Sequence, residues 1–206
     1  MRICYVLLSP TFGIHQYTAD LANRMVRFGH DVYLVTTARY PGHRYLPAIT
    51  VHTPVDTRSS GLSLDTLQPA AMRRTAQVIQ DIRPHVVHMT GPHLWNVPLL
   101  RRMRHAGVPV VHTLHDLDPH GWTLYSLLLH AWNHGMLRLA DHILVHGVCY
   151  RHRLLEMGMP AERLTCTTHL HLFLGHTWLG EAEHLAQAVR YDPNVLFFGR
   201  LERYKG

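Results

Sequence analysis

The sequence predicts a doubly wound, Rossmann-like α/β fold built on a parallel sheet, and two observations carry that prediction. Short apolar runs recur along the chain, and the segments between them place apolar residues at helical spacing. A strand, a loop, a helix and a second strand fit within the first 36 residues, so the chain opens with a βαβ unit. Such a unit implies parallel strands joined by a right-handed crossover.

The first unit begins with residues 3–8, a continuous apolar run that is typical of a strand buried on both faces. A loop containing Gly13 is expected next, followed by a helix that Gly29 ends. Residues 32–36 form the second strand. The apolar stripe of the helix has spacings of four, four and three, and it consists of Tyr17, Leu21, Met25 and Phe28.

The remainder of the chain repeats this alternation. We expect one short strand among loops between residues 40 and 61, and a turn at residues 191–194 that leads into a new strand. The other expected strands are residues 85–89, 108–114 and 142–145, and the other expected helices lie near residues 67–82, 94–105 and 122–140.

One helix has a large aromatic face. Its stripe consists of Trp122, Tyr125, Leu129, Trp132, Met136 and Leu139. Packing against the sheet is the favoured interpretation, and a wall for an apolar acceptor or a membrane surface is the alternative. The segment lacks Asp, Glu, Lys and Arg over residues 119–137, yet its histidines and other polar residues argue against a membrane span.

The charge pattern does not indicate a nucleic-acid-binding protein. The formal charge of +6 comes from 19 arginines and one lysine against 14 acidic residues, and no basic arm is present. The densest basic cluster lies on an expected helix and is interpreted as a solvated face; it consists of Arg101, Arg102, Arg104 and His105.

The three cysteines, Cys4, Cys149 and Cys166, are too few and too scattered for a disulfide framework or a metal knuckle, which favours a reducing, cytoplasmic location. The first apolar run is too short for a signal peptide and is followed by no small-residue cleavage site. Twenty histidines raise the question of zinc, but no H-E-x-x-H motif or cysteine pair supports it. The histidines are therefore interpreted as hydrogen-bonding residues, and no metal site is expected.

Five segments of the chain resemble segments of a known enzyme family and occur in the same order, which makes the resemblance specific. Together they resemble the retaining, nucleotide-sugar-dependent glycosyltransferases of family 4, which have two Rossmann-like domains in the GT-B architecture. The segments are SPTFGIHQYTADLANRMVRFGHDVYLVT, RPHVVHMTGPH, VPVVHTLHDLDP, ADHILVHGVCYRHRLLEMGMPAERLT and NVLFFGRLERYKG.

The resemblance implies a domain organisation. Residues 1–190 would be the Rossmann-like acceptor domain of a GT-B enzyme, and residues 191–206 the first strand and loop of its donor domain. The chain is then expected to be an incomplete glycosyltransferase that is inactive alone, because the family's pair of glutamates eight residues apart is missing after the last strand. A stand-alone acceptor-binding module completed by a separate donor-domain polypeptide is the alternative. An oxidoreductase or a sugar epimerase on a similar fold is a more distant third.

The candidate site lies at the carboxyl ends of the strands, where open α/β sheets bind ligands. Gly13 and His15 are assigned to an acceptor or phosphate loop, in which a glycine lets a ligand approach the backbone closely. The resemblance assigns His115 to contact with the donor sugar. Asp116 either orients that imidazole or caps its own loop, so the predicted catalytic pair is His115 and Asp116.

Sugar transfer also needs cations beside the departing diphosphate. Arg200 and Lys205 match the family's pair for that role, and Lys205 is the single lysine of the chain. The resemblance implies catalysis without a metal or other cofactor, with a nucleotide sugar as co-substrate and a lipid or glycan as acceptor. Peripheral attachment to the inner face of the membrane, a homo-oligomer and a separate donor-domain partner are left open.

Overall fold

The computed structural model describes residues 1–58, 64–117 and 124–167. In these ranges, seven strands form one sheet, and every neighbouring pair is parallel. The strands are β1 (Arg2–Leu7), β2 (Asp31–Thr37), β3 (Thr50–Val55), β4 (Val86–Met89), β5 (Val110–Leu114), β6 (His142–Val145) and β7 (Leu164–Cys166). Their order across the sheet is β3-β2-β1-β4-β5-β6-β7. The predicted doubly wound, Rossmann-like fold class is confirmed.

Helices connect most of these strands. They are α1 (Phe12–Arg27), α2 (Pro69–Ile82), α3 (Asn96–His105), α4 (Leu124–Leu139) and α5 (Val148–Glu156), with short 3-10 helices at Gly42–Arg44, Leu64–Leu67 and Ala161–Arg163. Among the described residues, no helix combines the length and the apolar character that a membrane crossing requires.

Two hydrophobic clusters cover the two faces of the sheet. Successive residues of β1 belong to different clusters. Ile3 and Tyr5 pack in the cluster beneath α1, whereas Cys4 and Val6 pack in the cluster beneath α2, α3 and α4. This alternation follows from the two-residue period of a strand. Because helices cover both faces, the central strands are apolar on both sides, which explains the continuous apolar run of β1.

The predicted strands and helices are present in the described ranges, with ends that differ by at most two residues. The expected short strand between residues 40 and 61 is β3, at the edge of the sheet. Two elements were not predicted from periodicity. α5 is only 9 residues long and β7 only 3, and such short elements contain too few apolar repeats to indicate a period.

Helix α1 differs from its prediction at its start and in the burial of Phe28. Gly13 is not in a loop, because the helix already begins at Phe12. Gly29 does end the helix, with a φ of +78° that favours glycine. Phe28 was predicted on the buried stripe, but its side chain is 73% exposed because it follows the last helical residue. The residues that α1 buries are His15, Tyr17, Thr18, Ala19 and Ala22.

Helix α4 packs against the sheet, as the favoured interpretation of its aromatic stripe predicted. Met136 is fully buried, and Trp132 and Leu139 pack against the same core cluster. Several other predictions lie outside the described residues: Trp122, the strand expected after residue 194, the boundary near residue 190, and the pair Arg200 and Lys205.

Candidate functional site

The strand order reverses between β1 and β4, and the candidate site lies at the carboxyl ends of these strands. From β1 the chain continues to β2 on one side of the sheet, whereas β4 and the later strands follow on the other side. Loops that leave adjacent strands in opposite directions open a crevice at such a point. The loop after β1 leads into α1, the loop after β4 begins with Thr90 and Gly91, and His115 directly follows β5.

A threonine pair joins the first two of these loops. The hydroxyl groups of Thr18 and Thr90 are hydrogen-bonded at 2.7 Å, and both residues are fully buried. The Thr18 hydroxyl also bonds the carbonyl of Ile14 one turn earlier in α1, at 2.8 Å. The start of α1 is therefore held to the end of β4.

Gly91 allows this close approach. A Cβ at Gly91 would lie 2.6 Å from Leu7 Cδ1 and 2.9 Å from Ile14 Cγ2, so those side chains would have to shift to admit it. A Cβ at Gly13 would meet nothing within 4 Å. Close packing at the crevice therefore requires the glycine after β4 and not Gly13.

His115 is held at the edge of the crevice by its own hydrogen bond. Its Nε2 lies 2.8 Å from the carbonyl oxygen of Thr90, so Nε2 is the donor. The ring also packs edge to face on Tyr17, with centroids 5.1 Å apart. In the neutral imidazole, Nδ1 is then the acceptor, which suits a ligand hydroxyl.

Behind His115 lies a group of polar side chains on the α1 side of the sheet, which we call the α1-side cluster; it consists of Tyr17, His88, Thr113, His115 and His146. The Thr113 hydroxyl lies 2.8 Å from His88 Nε2 and 3.3 Å from the Tyr17 hydroxyl. The ring of His146 packs on Tyr17 at 4.9 Å and on His115 at 5.5 Å. These contacts connect the ends of β4, β5 and β6 through one tyrosine of α1.

Burial keeps the deeper histidines neutral. Desolvation, with smaller contributions from neighbouring His112 and His115, lowers the pKa of His88 to about 3. Burial also lowers the pKa of His112 to about 4, partly offset by the hydrogen bond between its Nδ1 and the Met89 carbonyl. His112 projects to the opposite face of the sheet, where it packs edge to face on Trp132.

His15 is placed differently from its prediction. The residue lies in α1, is fully buried, and bonds the Tyr45 hydroxyl through Nδ1 at 2.8 Å. Burial lowers the pKa of His15 to about 4, against an opposing contribution from the Ser9 backbone. His15 therefore lies behind the loop rather than on its surface, and it braces α1 against the segment that leads to β3.

The side chain of Asp116 is exposed, and its backbone carbonyl accepts a hydrogen bond from Asn133 at 3.0 Å. Asn133 is itself buried in α4 and also bonds the Leu117 carbonyl, so α4 supports the loop after β5. Arg200 and Lys205, predicted for the diphosphate, lie outside the described residues.

Sequence reasoning did not select Tyr17, His88, Thr113 or His146 for the site. One signal was available for His146, which directly follows β6 as His115 follows β5. The other three lie within elements and looked like core positions. Within the described ranges, no three His, Cys, Asp or Glu side chains are grouped so that they could hold a metal ion.

Comparisons with known proteins agree with this fold. A family model described as a glycosyl transferase 4-like domain matches residues 12–167. A search of curated protein sequences finds no significant match.

Solved structures share the fold at low sequence identity. HepE of Anabaena, in complex with UDP and glucose, is 17% identical with a TM-score of 0.54, and the match covers 82% of this chain and 44% of that one. MnaA of S. aureus, solved with UDP, is 18% identical with a TM-score of 0.61, covering 81% and 43%. The UDP-GlcNAc 2-epimerase of Neisseria meningitidis, bound to UDP-GlcNAc, is 16% identical with a TM-score of 0.61, covering 81% and 46%. This chain thus spans less than half the length of each of these proteins.

Proposed function

Because this chain belongs to the glycosyl transferase 4-like family, which its residues 12–167 match, we propose that it forms the acceptor-side wall of a sugar-transfer site. The complete enzyme would transfer a hexosyl group from a nucleotide sugar to a lipid or glycan acceptor, with retention at the anomeric carbon. The observation that carries this proposal is the convergence of the loops after β1, β4 and β5, with His115 anchored on Thr90.

The donor is proposed to enter this crevice from the side of β5. His115 would accept a hydrogen bond from a sugar hydroxyl through Nδ1, and that bond would strengthen as the sugar ring flattens towards the oxocarbenium-like transition state. The UDP and UDP-GlcNAc bound by structural neighbours support a nucleotide-sugar donor.

The start of α1 supplies the other polar wall. Its N-cap, Thr11, makes no side-chain hydrogen bond to the helix, so the first-turn amides lack a side-chain cap. Amides at the positive end of a helix favour an oxygen-rich or anionic group. We assign this position to an acceptor oxygen or a donor phosphate.

Arg200 and Lys205 are proposed to neutralise the leaving diphosphate, without a metal or other cofactor. We expect no product from residues 1–206 alone, since the rest of the donor wall would come from beyond these residues. In the complete gene product, Arg200→Ala and Lys205→Ala should each lower turnover about 10²-fold or more.

The test is an assay of acceptor-dependent UDP or GDP release from a panel of nucleotide hexoses, with lipid extracts and glycans as acceptors. Product with a retained anomeric configuration supports the proposal. Conversion of UDP-GlcNAc to its C2 epimer, without acceptor-dependent release of nucleotide, would show that the protein is an epimerase and not a transferase. Full activity of residues 1–206 after addition of a separate donor-domain polypeptide would favour the two-chain alternative.

A further inference from the structure

At the carboxyl ends of β2 and β3, on the side that α2 covers, the structure contains a cavity, which we call the β2–β3 pocket. Its volume is about 410 Å³, which is within the range of small-molecule sites. The lining residues come from the ends of β2 and β3, the first turns of α2, and Trp95.

The pocket walls combine an aromatic side with hydroxyl and amide groups. Trp95 is only 4% exposed, and its Nε1 is fixed by a 2.7 Å hydrogen bond to the Thr66 carbonyl. Thr53, Thr57 and Gln68 supply polar atoms around the lining. Such a lining suits a hydroxylated ligand of about the size of a sugar.

Two arginines contribute to the walls of the pocket. Arg58 and Arg74 both line it, and Asp56 is the one acidic residue among the described residues of the lining. The Asp56 carboxylate is already paired with Arg39, through contacts of 2.8 Å to Nε and 3.3 Å to Nη2. Asp56 therefore does not offset the charge of Arg74.

Arg74 lies one helical turn after Ala71, so both face the pocket from the first two turns of α2. The first turn of α2 contains no acidic residue, and its N-cap, Gln68, makes no side-chain hydrogen bond to the helix. No acidic side chain in the first turn neutralises the positive end of the helix dipole. The dipole therefore adds to the positive field of Arg74.

We infer that the β2–β3 pocket binds an anionic group, a phosphate or a carboxylate, carried by the sugar acceptor, with Arg74 as its counter-ion. That the ligand is a sugar acceptor rests on the proposed function. That it carries an anionic group rests on the pocket alone. The acceptor is therefore of the acidic class, a sugar or lipid that bears a phosphate or a carboxylate.

The chain offers a matched control. Arg73 precedes Arg74 on α2 and is likewise exposed, but it does not line the pocket. Arg74→Gln and Arg73→Gln thus remove the same charge from the same helix. Both side chains are on the surface, so both variants should keep the fold, and thermal melting checks this.

The experiment is titration of the 206-residue chain, followed by NMR amide shifts, with glucose 1-phosphate, glucuronic acid, inorganic phosphate and neutral glucose. We expect the anions to bind in the millimolar range, with shifts at β3 and the start of α2. Arg74→Gln should weaken that binding about tenfold or more, whereas Arg73→Gln should change it less than twofold. A higher salt concentration should weaken the binding of the anions but not the binding of glucose. Comparison of the phosphate and carboxylate arms identifies which anion is preferred.

Equal binding by the wild type and Arg74→Gln overturns the inference, as does the absence of any anion-dependent shift at the pocket up to 50 mM, a ceiling of about ten times the expected Kd. No donor is present in this experiment, so its result is independent of sugar transfer. If anion binding depends on Arg74 but the protein transfers no sugar, the anion site is supported and the proposed function is wrong. If the protein transfers sugar to an acidic acceptor with a KM that does not depend on Arg74, the proposed function is supported and the anion site is wrong.

Discussion

His112 and His115 are three residues apart, yet the structure gives them different surroundings. His112 is 2% exposed, lies between the Met89 carbonyl and the ring of Trp132, and belongs to the packed face beneath α4. His115 follows the strand, is only partly buried, and faces the crevice beside Tyr17. His112 is therefore a residue of the core, and His115 is the one that we propose to contact a ligand.

Substitution of these two histidines by alanine should separate activity from stability. In the complete enzyme, His115→Ala should lower kcat by about 10²-fold, with a loss of about 1 kcal/mol in the free energy of unfolding for its one backbone hydrogen bond. His112→Ala should cost about 2 to 4 kcal/mol, because it opens a cavity against Trp132. Steady-state kinetics and urea unfolding measure both quantities. A His115→Ala enzyme that melts earlier but keeps full turnover would remove His115 from the site.

Two glycines give a second contrast between individual residues. Gly91→Ala should lower the free energy of unfolding by about 1 to 3 kcal/mol, because the new methyl group would collide with side-chain atoms of Leu7 and Ile14, and Leu7 is fully buried. Gly13→Ala should be neutral or stabilising by up to about 1 kcal/mol, since it removes a flexible residue from α1 without a clash. Thermal melting of both variants is the measurement, and equal melting temperatures would contradict the packing described for Gly91.

At the scale of elements, α4 links the core to the site. Its buried face includes Met136 and Asn133; Met136 fills the cluster beneath the sheet, and Asn133 supports the loop that contains Asp116. The indole Nε1 of Trp132 bonds the His93 carbonyl at 2.9 Å, so the same helix also supports the loop after β4. The aromatic stripe predicted from the sequence therefore serves packing and, through these hydrogen bonds, the position of two site loops.

A pair of substitutions in α4 tests this packing. Met136→Ala should cost about 2 to 4 kcal/mol of unfolding free energy, because Met136 is fully buried. Leu127→Ala should change it by less than about 0.5 kcal/mol, because 55% of the Leu127 side chain is exposed. Denaturant unfolding measures the difference. Similar losses in the two variants would mean that α4 is oriented differently.

At the scale of the whole molecule, the interior holds several histidines that are neutral in the folded state. Burial lowers the pKa of His15, His93 and His112 to about 4 and that of His88 to about 3, from an ordinary value of 6.5. As the pH falls below 6.5, the unfolded chain takes up protons that the folded chain does not, so unfolding becomes more favourable. The stability that these groups contribute is complete above pH 6.5 and is lost as the pH falls towards 4.

The protein should therefore be unusually sensitive to mild acid. Between pH 7.5 and 5.5, each of these histidines should cost about 1.4 kcal/mol, and the four together about 5 to 6 kcal/mol, which approaches the total stability of many domains. Urea midpoints measured across this range give the slope directly. His93→Gln should reduce the slope by roughly a quarter, and a midpoint that is constant from pH 7.5 to 5.5 would contradict the burial of these side chains.

The sequence by itself determined the parallel α/β class, the order of most elements, the end of α1 at Gly29 and the loop in which His115 lies. Each of these depends on a local property: the period of apolar residues, the backbone freedom of a glycine, or the boundary of a strand. The resemblance to family 4 glycosyltransferases added the expected function, and the matching family model supports that coarse assignment.

Only the tertiary structure decided which histidines lie beside the crevice and which are buried in the core. His15 and Tyr45 are 30 residues apart, and Tyr17 and Thr113 are 96 apart, yet both pairs are in contact. The switch from β1 to β4 makes the second contact, because it brings α1 beside strands that come late in the chain, whereas the first contact joins α1 to the segment between β2 and β3. Contacts between residues far apart in the sequence, and not a local pattern, bury His15. Such contacts also place Gly91, and not Gly13, where the loops pack most closely.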